Sequence, residues 1–170
     1  MRGEGVGQSL GARTRRDDGQ LLETGLRCHP TYSGDLTARI AQKLTSQWIL
    51  SKNADRSGPI GPLVTADEAG DLRDGLGLRT RVNGETVQES TSDLQIYEAG
   101  ETVAHISRTF TLHAGDILFT GTPSGVGYAR DPEWLLTDGD VVEVEVDRLG
   151  VLRTPIGGTR GAPAPGGVAR

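Results

Sequence analysis

Residues 140–155 read DVVEVEVDRLGVLRTP, and this stretch carries the clearest periodicity in the chain. Val142, Val144 and Val146 fall on one side of an extended backbone, and Glu143, Glu145 and Asp147 on the other, because side chains alternate along a strand. Gly150 turns the chain and Val151, Leu152 and Arg153 return. This spells an antiparallel hairpin with one dry and one wet face. A second hairpin lies upstream. LGLRTRV at 76–82 alternates in the same way, Asn83 and Gly84 supply a two-residue turn, and ETVQ at 85–88 returns. Asn-Gly suits such a turn because both residues tolerate positive φ.

Outward from the hairpins the patterns are shorter. DILFT at 116–120 reads as a buried strand bounded by Ala114 and Gly115, and PLVT at 62–65 as a short strand. DLTARIAQKLTSQWIL at 35–50 places Leu36, Ile40, Leu44 and Trp48 at every fourth residue. That spacing predicts an amphipathic helix with Asp35 as its N-cap. Thr91, Ser92 and Asp93 can cap a second helix running to about Thr109, with Leu94, Ile96, Val103, Ile106 and Phe110 as apolar positions. Strands and short helices in this order predict a β-rich α+β fold.

Composition bounds the function. The chain has 170 residues and a net charge of −5, which fits one domain and disfavours nucleic acid as a partner. No apolar run approaches the ~18 residues of a membrane span, and MRGEGVGQSLGARTRR has no apolar signal-peptide core. Cys28 is the only cysteine, so no internal disulfide or cysteine zinc site is available, and a reducing, cytoplasmic location is expected. Residues 1–30 show neither strand nor helix period, and the Gly- and Pro-rich tail 157–170 has little to bury. Both are expected to be poorly ordered around a domain at 31–156.

The most unusual stretch is TGTPSGVG at 120–127. Its glycines allow close backbone approach to a ligand, and its hydroxyls and N–H groups can grip carboxylate or carbonyl oxygens. No Gly-Lys-Ser/Thr follows, so it is not a P-loop. A plain Gly-rich turn between strands is the alternative reading.

GDILFTGTPSGVG at 115–127 followed by GDVVEVEVDRLGVLRTPI at 139–156 resembles the C-terminal signature of the fumarylacetoacetate hydrolase family. GPLVTADE at 61–68, the segment 78–87, STSD at 90–93, GDLTAR at 34–39, and Gln47-Trp48 with Lys52 continue the resemblance in order, over about residues 31–156. It implies a fumarylacetoacetase-like mixed β-roll with short helices, and a homodimer. It also implies a divalent-metal-dependent hydrolase, lyase or isomerase acting on small 2-oxo acids or acylpyruvates, with Mg²⁺ or Mn²⁺ as cofactor. Carboxylate ligation suits such a hard cation.

Carried over by position, Asp35 matches the metal-binding Asp of the family. Arg39 and Gln42 match substrate-binding positions one and two turns on, Lys52 the catalytic and substrate-binding Lys, and Thr122 the substrate-binding Thr. For Asp35 a helix cap, and for Arg39, Gln42 and Lys52 a solvated surface position, are the plainer readings. Aligning Gly11-Ala12-Arg13 on the family's pattern puts Glu4 on the second residue of its Glu-x-Glu metal pair and Arg2 on the first. Gly34 and Ile40 stand where the family has Asn and Asp, and Arg56 where it has a small hydroxyl residue. The family's His–Glu lid belongs further N-terminal, and His29, His105 and His113 do not match it. These departures motivate an alternative: an eroded, inactive family member serving as a structural or dimer-forming subunit.

Overall fold

The computed structural model describes residues 6–8 and 31–157. Its centre is a four-stranded antiparallel sheet built from both hairpins. Strands β3 (Gly77–Val82) and β4 (Glu85–Thr91) form one, and β5 (Val141–Val146) and β6 (Gly150–Pro155) the other. The spatial order is β4-β3-β5-β6. Asn83 and Gly84 take φ of 51° and 86°, the paired positive values a type I′ turn requires. The register of β3 against β5 sets Leu78 opposite Val146, Thr80 opposite Val144 and Val82 opposite Val142. All six side chains are buried. Leu36, Ala69, Leu76, Leu136, Leu149 and Ile156 complete the core. The other face carries cross-strand ion pairs, Arg79–Glu89, Arg81–Glu145 at 2.7 Å and Arg153–Glu143 at 3.4 Å.

A second, two-stranded sheet pairs β1 (Val6–Gln8) with β2 (Tyr32–Gly34). This strand lies within the stretch that shows no sequence period. The remainder of 1–30, including Glu4, and the tail 158–170 lie outside the described residues.

The structure corrects several of these expectations. Residues 35–50 do not form one helix. They hold two single turns, α1 (Arg39–Gln42) and α2 (Ile49–Lys52). Thr45 Oγ1 bonds the Gln47 carbonyl at 2.5 Å between them, a local bond of the kind that competes with helix. Of the expected apolar stripe only Leu36 is buried, while Ile40, Leu44 and Trp48 are 76%, 70% and 63% exposed. Asp35 is not a cap, since Ala38 precedes α1 without a side-chain bond.

Residues 62–65 are irregular and lead into α3 (Ala66–Ala69) rather than forming a strand. Residues 116–120 do not join a sheet either, and Ile117 and Phe119 are exposed. Thr120 instead accepts a side-chain bond from Gln95 Nε2 at 3.0 Å. The helix expected from Thr91–Asp93 starts later, as α4 (Ala99–Ile106). A reciprocal capping box of Glu98 and Glu101 sets that start. Ser92 is drawn into the core junction, where its Oγ accepts from Leu76 N at 2.8 Å and donates to Leu72 O.

Asp140 ties the two hairpins together. Its carboxylate accepts from Thr137 N at 2.6 Å, Thr137 Oγ1 at 3.1 Å and Asn83 Nδ2 at 2.8 Å. The Thr137 N–H, then the Asn83 amide, hold its pKa below the ordinary 3.8. A carboxyl with a depressed folded-state pKa stabilises the fold above its unfolded value and loses that contribution as pH falls through the folded one. Asp140→Asn should therefore flatten the fall of the urea midpoint between neutral and strongly acidic pH. An unchanged acid dependence would show that this junction does not matter.

Candidate active site

Loss of the long helix reorganises the residues around α1. Asp35 sits between β2 and α1, half-buried, and the Lys52 ammonium from α2 lies 2.5 Å from its Oδ2. The same ammonium reaches the Asp35 carbonyl at 3.5 Å. Ala38 N bonds Ser51 O at 2.9 Å, so the backbone brings α2 beside the start of α1 and makes this pair. On α1, Arg39 Nη1 donates to Gln42 Oε1 at 2.8 Å. The four assigned residues on this segment thus form two bonded pairs.

The Gly-rich loop is held from below by β4. Gln88 is the buried polar residue on the inner face of that strand. Its Nε2 donates to Thr122 Oγ1 at 3.0 Å and to Pro123 O at 3.1 Å. Arg130 donates to Val87 O at 2.6 Å and to Gly125 O at 3.2 Å, and its guanidinium lies over the Trp134 ring. The loop ends in a 3₁₀ turn at Gly127–Ala129. Tyr128 in that turn meets the other half of the site, with the Arg39 guanidinium 4.9 Å and the Lys43 ammonium 5.5 Å from its ring centroid.

The structure therefore pairs Asp35 with Lys52 and Arg39 with Gln42, and it links Arg39 through Tyr128 to the loop that carries Thr122. Glu4 lies outside the described residues. His105 and His113 are exposed. Gln88, Tyr128 and Arg130 were not singled out from sequence. Gln88 had one signal, an amide at an inward position of an alternating strand.

A divalent cation would need more than this set provides. Hard cations take about six oxygen ligands, and among the described residues no three His, Cys, Asp or Glu side chains gather into a group that could hold one. Asp35 offers one carboxylate, already facing an ammonium. The described residues alone do not compose a divalent-cation site.

Residues 31–157 match the family model described as "Fumarylacetoacetate (FAA) hydrolase C-terminal". The chain belongs to the fumarylacetoacetate hydrolase family. A mitochondrial oxaloacetate tautomerase of Xenopus laevis is 42% identical over 129 residues, covering 74% of this chain and 40% of that protein. An oxaloacetate tautomerase of Bacillus subtilis is 37% identical over 127 residues, covering 75% and 42%. The chain thus spans less than half the length of these relatives. The fumarylacetoacetate hydrolase of Exiguobacterium antarcticum superposes with a TM-score of 0.75 at 31% identity, over 91% of this chain and 57% of that one. The fumarylpyruvate hydrolase of Pseudomonas aeruginosa, solved with Mn²⁺ and pyruvate, superposes at 0.71 with 29% identity, over 90% and 64%. The fold is that of these family members, α+β with an antiparallel sheet and short helices.

Proposed function

We propose that this family member acts on small 2-oxo acids or acylpyruvates by enolate chemistry, as a tautomerase, isomerase or hydrolase assisted by Mg²⁺ or Mn²⁺. The observation that carries this reading is the contact of Arg39, itself bonded to Gln42, with Tyr128 at the end of the Thr122 loop, while the Asp35–Lys52 pair lies beside the start of the same α1 turn. Such a substrate carries a carboxylate beside a carbonyl. Thr122 and the loop N–H groups suit one oxygen of the carboxylate, and Gln42 and Arg39 can donate to its other oxygen. The Lys52 ammonium suits the oxygen that gains charge when a proton leaves C3. A bound divalent ion would act as a Lewis acid on the chelating oxygens. Asp35 and Glu4 are the residues proposed to hold it.

Two observations support the substrate class: relatives named oxaloacetate tautomerases and a neighbour solved with pyruvate. The test is calorimetric titration of the protein with Mn²⁺ and Mg²⁺, with and without oxalate as an enolate mimic. Binding that tightens with oxalate is expected. No binding up to millimolar metal rejects a working enzyme. Thr122→Val keeps shape and removes the hydroxyl, so it should weaken oxalate binding by about 1–3 kcal/mol, the cost of an unmatched partner to a charged group. Equal affinity of the two proteins would remove Thr122 from the site.

A second reading is favoured by the lack of a three-ligand metal group among the described residues: an inactive member that serves as a structural subunit. Either reading includes a homodimer. Exposed Ile40, Leu44, Trp48 and Ile49 offer apolar surface for a second copy. Sedimentation of a single monomer species at micromolar concentration would exclude the dimer.

A further inference from the structure

We infer that Tyr128 is a positioning residue: its ring holds the Arg39 guanidinium in place for the substrate. The inference rests on the 2-oxo acid reading above and extends it to a residue outside the assigned set. Arg39 sits on a single-turn helix with no buried residue of its own. A helix this short has little intrinsic stability, so an arginine on it needs outside contacts to keep one geometry. The Tyr128 ring at 4.9 Å is such a contact, and within the turn itself the guanidinium donates to the Gln42 amide at 2.8 Å.

The ring is the better anchored of the two. Tyr128 lies in a turn closed by Ala129 N to Val126 O at 2.9 Å and Trp134 N to Gly127 O at 3.0 Å. Arg130 fastens the same turn to β4 through Val87 O. A rigid strand thus holds the turn, the turn holds the ring, and the ring holds a cation on a marginal helix. A guanidinium over an aromatic face is attracted by the ring quadrupole and keeps its N–H fork available in the ring plane's neighbourhood. Lys43, one turn after Arg39, approaches the same ring at 5.5 Å, so the ring gathers two positive charges beside the loop that carries Thr122. This is where an anionic substrate end would be bound.

Tyr128 is 42% exposed, so it can be changed with little cost to the core. The test is a double-substitution cycle on the full chain with Mn²⁺, reading oxalate affinity. Tyr128→Leu should weaken oxalate binding about threefold to thirtyfold, the range expected for one cation–π contact. Tyr128→Phe keeps the ring face and should stay within about twofold of wild type. In an Arg39→Met background Tyr128→Leu should have no further effect. Pentafluorophenylalanine at position 128 keeps the shape and removes the negative ring face, so it should behave like Leu, and it serves as the ring-charge test should the Leu variant fold poorly. Additive losses from Tyr128→Leu and Arg39→Met, or a fluorinated ring that binds like Phe, would overturn the positioning role while leaving the 2-oxo acid reading intact. Failure of the wild type to bind oxalate at all would instead remove that reading, and this inference with it.

Discussion

Asp35→Ala is expected to abolish Mn²⁺ binding and with it turnover of 2-oxo acids, while Lys52→Met should tighten Mn²⁺ binding and still lose most turnover. The two residues form one ion pair at 2.5 Å, and that contact makes their substitutions diverge. A cation approaching Asp35 must compete with the ammonium already there. Removing the carboxylate takes away the proposed metal oxygen, and a site with few carboxylates has none to spare. Removing the ammonium relieves like-charge repulsion, which at a few ångströms in a half-buried site is worth on the order of 1 kcal/mol or more. It also removes the charge proposed to stabilise the developing enolate oxygen, a loss on the order of 100-fold or more in turnover. Calorimetry for affinity and a steady-state assay with oxaloacetate read the two effects separately. If Lys52→Met weakens the metal and spares turnover, the proposed division of labour between the pair is wrong.

Gly125→Ala should be far more destabilising than Gly121→Ala in the same loop. Gly125 adopts φ of +103°, and a Cβ there would lie 2.3 Å from Val87 O and 3.1 Å from Gln88 Cγ. The first obstacle is backbone in the middle of β4, which cannot give way without disturbing the sheet. Torsional strain and displacement together should cost about 3 kcal/mol, lowering Tm by roughly 6–12 °C for a chain of this size. The movement would also lift Thr122 and Pro123 off Gln88, so oxalate binding should fall along with stability. Gly121→Ala is the internal control. Its φ is +108° but nothing lies within 4 Å of the added methyl, so only the strain term, about 1–2 kcal/mol, applies. Thermal unfolding of the two variants side by side measures the difference. Equal shifts would mean that the loop does not rest on β4 as described.

Both hairpins, and the Asn83-Gly84 turn of the first, are determined by the sequence alone. Their patterns have period 2 and their partners are adjacent in sequence, so Asn83-Gly84 needs only local geometry to set the first register; the second hairpin turns not at Gly150, which already opens β6, but at residues 147–149, where Arg148 takes φ of 64°. The valines of β5 likewise announce which face is buried. The family resemblance was legible for the same reason, since its motifs are short runs read in order. The tertiary structure decided what lies between. Residues 35–50 have helical spacing, yet spacing reports only which side chains could share a face. Beyond Leu36, no core surface among the described residues meets that face, so Ile40, Leu44 and Trp48 are exposed there and the helix breaks into two turns. That break frees Asp35 from the cap role and brings it to Lys52, a pairing across the chain that no local pattern encodes. DILFT has strand composition, but a strand exists only where a neighbouring strand pairs with it, and Gln95 reaches Thr120 instead. Gln88 and Tyr128 were unreadable for a related reason. Each acts through a partner far away in sequence, Thr122 for one and Arg39 for the other, and such long-range contacts form only when β4 and the Gly-rich loop are packed together.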